Sequence, residues 1–195
     1  MSDGRGRRSP HPPEGAALPE RHPQAPEPGD VVASHYRWCV GCGADHPAGL
    51  HMQVVAGEGM SMLSTLEVGE FHQGAPGLAH GGIIATAMDE AMGVLNRLLL
   101  VPAVTVHLEV DYVRPVPVGS VLRISTRIAG QMGRKVYTSG TATLEADGQV
   151  AVQAAALFLQ VPLDHFVEHG NSAQIEAAIR ERPGGAAAWR REVNP

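Results

Sequence analysis

The sequence HGGIIATAMDEAMGVLNRLLL, residues 80–100, decides the fold of this chain. Its apolar residues recur with the 3.6-residue period of a helix and form one continuous stripe, made of Ile84, Ala87, Met88, Ala91, Leu95 and Leu98. Pro102 ends the pattern, because proline cannot continue a helix. The stretch therefore predicts one long amphipathic helix from Gly81 to about Leu100.

The segments on either side of this helix have the two-residue period of strands. Two predicted strands precede it (51–56 and 61–68), followed by a glycine- and proline-rich loop (71–79), and four follow it (104–113, 121–128, 136–144 and 150–161). This order predicts an α+β fold in which an antiparallel sheet wraps around a single helix. Since one helix gives a thin core, we also expect a second copy of the chain to cover part of the sheet.

The strand at 104–113 alternates strictly between apolar and polar residues. Its even-numbered positions, from Val104 to Tyr112, are apolar or aromatic, whereas the odd-numbered positions are Thr105, His107, Glu109 and Asp111. Side chains of successive strand residues point to opposite faces of a sheet. The alternation therefore predicts that Thr105 and Tyr112 lie on opposite faces.

Composition divides the chain into three parts. Residues 1–32 contain seven prolines and little aliphatic content, so we predict a disordered leader. The aliphatic residues concentrate in a predicted domain at 33–162. Residues 163–195 contain one helical pattern (173–182), with Asn171 or Ser172 as its cap and Pro183 just beyond its end, followed by a loose tail.

Charge and composition exclude several classes of protein. The 195 residues include 15 Lys or Arg against 20 Asp or Glu, a formal charge of −5, which argues against a nucleic-acid-binding protein. The sequence shows neither an apolar run that could span a bilayer nor a signal-peptide pattern. With only two cysteines, no disulfide framework is possible, and we expect a cytoplasmic protein.

The start of the predicted helix has the features of an oxyanion site. Gly81 and Gly82 permit close approach to backbone amides that have no acceptor inside the helix, and these amides favour negative charge. Gly82, Thr86, Asp89 and Gly93 share the face opposite the apolar stripe, where a substrate or a partner subunit could approach. A plain glycine turn with a solvated aspartate is the alternative interpretation of the same positions.

This loop and helix resemble those of hotdog-fold acyl-CoA thioesterases of the PaaI-like type. The resemblance rests on His80-Gly81-Gly82 with Asp89 nine residues after the histidine. It extends over most of the predicted domain, through four further segments: Cys39-Val40-Gly41-Cys42-Gly43, Pro47-Ala48-Gly49-Leu50, Tyr112-Val113-Arg114-Pro115 and Gly133-Arg134-Lys135.

The resemblance implies a hotdog fold with active sites at a dimer interface, and a role for each matching residue. Asp89 matches the catalytic acid, either a general base or a nucleophile, and the amide of Gly82, with Gly81 as a possible contributor, matches the oxyanion donor. His80 matches a hydrogen-bonding support. Thr105 lies where relatives place a Ser or Thr that reaches the site from the opposite subunit and orients the water. Some members carry an Asn in the loop before the motif, where this chain has Gln73 or His72.

We therefore predict an acyl-CoA thioesterase that forms a homodimer or a pair of dimers and needs no cofactor. The strand-end cations Arg114, Arg134 and Lys135 could meet the phosphates of coenzyme A, and a solvated surface is the equally simple interpretation of each one. Two alternatives stay open: a non-catalytic acyl-CoA-binding module, and a hotdog hydratase or dehydratase acting on acyl thioesters.

Cys39 and Cys42 have the spacing of metal ligands, with His35 and His46 nearby. A site with two Cys and two His ligands is conceivable. No histidine pair follows Cys42 at the distance that common zinc fingers use. We therefore interpret the two cysteines as part of a small packed turn and predict no metal.

Overall fold

A computed structural model describes residues 9–180 and contains a six-stranded antiparallel sheet packed on one helix. The bounds of its strands are β1 Gln53–Ala56, β2 Ser61–Glu67, β5 Ala103–Tyr112, β6 Val121–Met132, β7 Lys135–Leu144 and β8 Val150–Gln160, and β3 and β4 form a separate hairpin described below. The six strands lie in the order β1-β2-β6-β7-β8-β5, so β1 and β5 form the two edges. All six predicted strands are confirmed, and β6 runs four residues further than predicted.

Helix α1 (Gly81–Gly93) packs against the sheet and continues into a 3-10 segment at Val94–Leu98. The predicted apolar stripe forms the centre of the core, since each of its members has an exposed fraction of 2% or less: Ile84, Ala87, Met88, Ala91, Leu95 and Leu98. Thr126 of β6 is also buried and donates a hydrogen bond to the Ala91 carbonyl at 3.1 Å. The predicted position of the helix and the predicted side that packs on the core are therefore confirmed. The last part of the helix is wound more tightly, as a 3-10 segment.

A β-bulge interrupts the edge strand β5 at Val106. Thr105 pairs with Phe158 of β8 and His107 pairs with Leu157, so Val106 is an extra residue without a pairing partner of its own. The bulge exchanges the two faces of the strand. Before it, Ala103 packs against the core, whereas after it Leu108 and Val110 do. The prediction of strict alternation through this strand is wrong, and Thr105 and Tyr112 both face α1.

The predicted disordered leader also differs from the structure over residues 9–32, which lie against the domain. Ala17 exchanges two backbone hydrogen bonds with Gln131 of β6, and Val32 donates one to Val54 of β1 at 2.9 Å. The Arg21 guanidinium donates to three carbonyl oxygens, two of them in the β1–β2 turn. A few buried apolar residues, Pro10, Ala25 and Val32, add to these contacts. Composition did not predict the order of this segment, because most of it rests on backbone pairing and on one arginine.

The remaining elements are short. The loop predicted at 71–79 contains a 3-10 turn (Glu70–His72) and a small hairpin of β3 (Gln73–Ala75) and β4 (Leu78–Ala79). After the sheet come α2 (Asp164–His169), which was not predicted, and α3 (Ser172–Arg180), whose start Asn171 caps by accepting from the Gln174 N–H. Pro183 and the predicted tail lie outside the described residues. Among residues 9–180, no helix combines the length and apolar character needed to cross a bilayer.

Candidate active site

Asp89 lies at the centre of the candidate site, on the side of α1 that faces β5. Its Oδ1 accepts a hydrogen bond of 2.9 Å from Thr105 Oγ1 of the same chain. The resemblance implied a Thr from the opposite subunit, whereas this contact lies within one chain. Burial raises the pKa of Asp89 above its usual range, and the hydrogen bond from Thr105 partly offsets the rise. A carboxylate with a raised pKa is better matched to accepting a proton near neutral pH.

His80 caps the start of α1. The Nδ1 atom of its ring accepts a hydrogen bond of 2.9 Å from the Gly82 N–H. The backbone N–H of His80 donates to the His72 carbonyl at 2.7 Å. The prediction that His80 acts as a hydrogen-bonding support is consistent with these contacts. The Gly82 amide, which was expected to be the oxyanion donor, donates to His80 in this structure.

Gly81 is the residue whose amide is left available. Among residues 9–180 its N–H has no hydrogen-bond acceptor, as expected for the first residue of a helix. The Gly81 carbonyl accepts a hydrogen bond of 2.8 Å from Tyr112 Oη. Strand β5 therefore contacts α1 at two places, through Tyr112 at Gly81 and through Thr105 at Asp89. Sequence reasoning missed Tyr112, because its role depends on the bulge at Val106.

The amide of Gly81 and the carboxylate of Asp89 are far apart within one chain. Eight residues of helix separate them, which corresponds to about 12 Å along the axis. An oxyanion donor and a base must both lie within about 3 Å of the reacting groups. One chain therefore supplies two separate half-sites, one at Gly81 and one at Asp89. The expectation that the active sites lie at a dimer interface agrees with this separation.

The two loop residues predicted to replace an Asn have different environments. Gln73 is exposed and its side chain closes its own hairpin, since Oε1 accepts from the Gly77 N–H at 2.8 Å and Nε2 donates to the Glu70 carbonyl at 3.2 Å. His72 is half-buried and lines an open cleft of about 590 Å³. Burial, followed by the charge of His51, lowers the pKa of His72.

The three predicted phosphate-binding cations do not form one cluster. The backbone of Arg114 pairs with Ala151 near the start of β8, whereas that of Arg134 pairs with Gln160 at the end of β8, and Lys135 follows it. Nine strand residues separate these two positions, or about 30 Å. All three side chains are exposed. Only Arg134 and Lys135 lie at the end of the sheet that carries Thr105.

A second group of chemically reactive side chains lies beside the site. Cys39, Cys42 and His35 converge on Glu90, the residue after Asp89, with all four potential ligand atoms within 4.8 Å of one another. Burial raises the pKa of Glu90, whose side chain is only 13% exposed. His46, which the sequence suggested as a fourth ligand, is outside this group and instead accepts from the Ala48 N–H at 3.3 Å.

The antiparallel sheet wrapped on one helix, with an acid on that helix and a glycine pair at its start, defines a hotdog domain. Residues 76–151 match the model of the thioesterase superfamily. This match supports the family resemblance that the motif carried, and the hotdog fold that the motif predicted is confirmed.

Known proteins with similar sequence and structure agree with this assignment. The chain is 35% identical over 100 residues to the acyl-coenzyme A thioesterase THEM4 of Xenopus laevis, a match that covers 51% of this chain and 45% of that protein. The matched part thus spans less than half of that relative's length. A solved thioesterase superfamily protein shares 26% identity with a TM-score of 0.60 and 70% coverage of both chains. A Streptococcus mutans protein solved with bound acetyl CoA has the same fold, with 24% identity, a TM-score of 0.52 and coverage of 55% and 86%.

Proposed function

We propose that this protein is an acyl-CoA thioesterase, which hydrolyses an acyl-CoA to a free acid and coenzyme A. The observation that carries the proposal is the half-buried Asp89 carboxylate, oriented by Thr105 on a helix whose first amide, Gly81, has no acceptor among the described residues. The name of the Xenopus relative, an acyl-coenzyme A thioesterase, supports the choice of substrate class.

The chemistry assigns one role to each group. Thr105 occupies Oδ1 of Asp89, so Oδ2 is left to accept a proton from water as that water attacks the thioester carbonyl. The negative charge that develops on the carbonyl oxygen is stabilised by the Gly81 N–H and the positive end of the α1 dipole. Collapse of the tetrahedral intermediate breaks the C–S bond, and the coenzyme A thiolate leaves and takes up a proton.

A homodimer, alone or as one half of a tetramer, would bring the base and the oxyanion donor together. The separation of about 12 Å between Gly81 and Asp89 along the helix requires that a second copy supply one of them. The edge strand β5 offers ten residues of backbone for pairing with that copy, next to both half-sites. Each dimer would then hold two complete sites.

The same proposal assigns residues to the phosphates of coenzyme A, and it includes the metabolism and the compartment in which the reaction takes place. Arg134 and Lys135 lie at the Thr105 end of the sheet and suit the phosphates of coenzyme A, whereas Arg114 would reach them only from a second copy. The acids released would belong to fatty-acid metabolism. The free thiols of Cys39 and Cys42 suit the reducing cytoplasm.

The decisive test compares hydrolysis of a panel of acyl-CoAs by the natural protein, Asp89→Asn and Asp147→Asn, measured as free thiol released. We expect Asp89→Asn to lose 10²- to 10⁴-fold in kcat, roughly the contribution of a general base. Asp147 is an exposed carboxylate in the turn between β7 and β8, and Asn can keep its hydrogen bond from the Gln149 N–H, so Asp147→Asn should keep its activity. Undiminished hydrolysis by Asp89→Asn would exclude this mechanism. Tight acyl-CoA binding without turnover by the natural protein would favour a binding module, and hydration of an enoyl-CoA would favour a hydratase.

A further inference from the structure

A four-residue cluster links the segment before β1 to the helix that carries Asp89. Cys42 Sγ lies 3.2 Å from His35 Nδ1, Cys39 Sγ lies 3.4 Å from Glu90 Oε2, and His35 Nδ1 lies 3.7 Å from Glu90 Oε1. Ligands arranged tetrahedrally around one Zn²⁺ are roughly 3.4–3.8 Å from one another, given Zn–S and Zn–N bonds of about 2.3 and 2.1 Å. We propose that His35, Cys39, Cys42 and Glu90 bind one structural zinc ion.

The identity of the donors selects the metal. Two thiolates and an imidazole favour Zn²⁺ over Mg²⁺ or Ca²⁺, which take oxygen ligands. Four protein ligands leave no position for water, and this closed coordination is typical of a structural rather than a catalytic zinc site. The zinc would therefore hold the fold and take no part in hydrolysis, so this proposal does not depend on the proposed function.

The local backbone is shaped to bring the donors together. The Gly43 N–H donates to the Cys39 carbonyl at 2.8 Å and closes a tight turn between the two cysteines, and the Gly41 N–H donates to Cys39 Sγ at 3.3 Å. Amide donors to a coordinating sulfur stabilise the thiolate. Position 41 also requires glycine, because a Cβ there would lie 2.5 Å from the Glu90 side chain.

The charge of the site with zinc bound would also be balanced. Cysteine thiols lose their protons when they bind a metal, so the two thiolates and the Glu90 carboxylate would then carry three negative charges. A Zn²⁺ ion reduces the sum to −1, and the half-buried Arg97, which interacts electrostatically with Cys42, supplies the remaining positive charge. The sequence offered no such argument, because Glu90 is 48 residues from Cys42.

The test measures zinc in the full chain, expressed with added zinc and purified in reducing buffer without a metal-affinity column. We expect about one zinc per chain by elemental analysis. Cys42→Ser and Glu90→Gln should weaken zinc binding by more than the 10- to 100-fold that loss of an outer-shell partner typically costs. His46→Ala is the matched control, since His46 lies in the same segment but outside the cluster, and it should retain full zinc.

A second measurement uses the natural protein and does not depend on whether a variant folds. After removal of metal, titration with Co²⁺ should give one equivalent of binding and a near-ultraviolet charge-transfer band of two thiolate ligands. Absence of both zinc and this band would overturn the proposal. A Cys39–Cys42 disulfide that persists in zinc-free protein freshly purified in reducing buffer would also overturn it and would indicate a redox pair instead. Retention of zinc by Cys42→Ser would exclude this set of ligands.

Discussion

Thr105 Oγ1 donates a hydrogen bond of 2.9 Å to Asp89 Oδ1, and the β-bulge at Val106 is what makes this contact possible. Without the extra residue, Thr105 and Tyr112 would lie on opposite faces of β5. With it, both reach α1, one at Asp89 and the other at Gly81. One irregularity in an edge strand thus positions two contacts to the helix that carries the candidate site.

Removing the Thr105 hydroxyl should lower activity and move its pH dependence. A hydrogen bond to a charged group contributes about 1.5–3 kcal/mol, so Thr105→Val should lower kcat/KM roughly 10- to 100-fold. The bond lowers the pKa of Asp89, so its loss raises that pKa further. Because the base must be deprotonated, the acid limb of the kcat/KM profile should move to higher pH. Thr105→Ser keeps the hydroxyl and should restore both properties, and an unmoved acid limb in Thr105→Val would contradict the role.

Replacing His80 should destabilise the start of α1. His80→Ala removes the acceptor of the Gly82 N–H, and loss of a helix cap typically costs about 1 kcal/mol in the free energy of unfolding. His80→Asn supplies another side-chain acceptor and should recover most of that cost. Urea unfolding of the three proteins measures the difference, and equal stability of the Ala variant would show that the cap contributes nothing.

Tyr112→Phe should loosen the first turn of α1 without disturbing the core. The Tyr112 hydroxyl donates to the Gly81 carbonyl at 2.8 Å, and a net contribution of about 0.5–1.5 kcal/mol is usual for such a bond. We expect a loss of stability near the lower value, because Tyr112 is 54% exposed. The loosened first turn of α1 carries the Gly81 amide, which is proposed to stabilise the transition state. We therefore expect kcat to fall more than KM rises. Tyr36→Phe is the control, because the Tyr36 hydroxyl makes no hydrogen bond to residues 9–180, and an equal effect of both changes would contradict the prediction.

Gly41→Ala should weaken zinc binding although it changes no ligand. The new Cβ would lie 2.5 Å from the Glu90 side chain and force it away from the two thiols. Gly59→Ala is a useful contrast, because a Cβ at Gly59 meets nothing within 4 Å, although its φ of +55° makes any side chain there strained. Competition with a chromophoric chelator gives the two affinities. Unchanged affinity in Gly41→Ala would show that Glu90 is not a ligand.

Removal of zinc should lower the melting temperature of the natural protein. A ligand that binds only the folded state adds about 2.7 kcal/mol to stability when its free concentration is 100 times its Kd. Calorimetry before and after treatment with a chelator measures the shift. The double variant Cys39→Ser/Cys42→Ser should show no response to chelator, and an equal response in both proteins would mean that the chelator acts elsewhere.

Much of the fold could be predicted because its signals are local. The apolar stripe of α1, the six strands and the glycine pair at the helix start are all periodicities or short motifs, and burial of one apolar face enforces them. Less of the site could be predicted. Arg114 and Arg134 look alike as strand-end cations, but the sheet register separates them by about 30 Å. The role given to Gly82 belongs better to Gly81, because a cap by His80 is a matter of side-chain geometry.

The sequence by itself determined which residues of α1 face the core and which acid this helix presents on its other side, because both follow from the 3.6-residue period of α1. Only the tertiary structure decided what meets that acid and its neighbour. Thr105 reaches Asp89 through one unpaired residue in β5, and Cys39 and Cys42 reach Glu90 across 48 or more residues of chain. Contacts of this kind depend on strand register and on long-range closure of the chain, and neither leaves a periodic trace in the sequence.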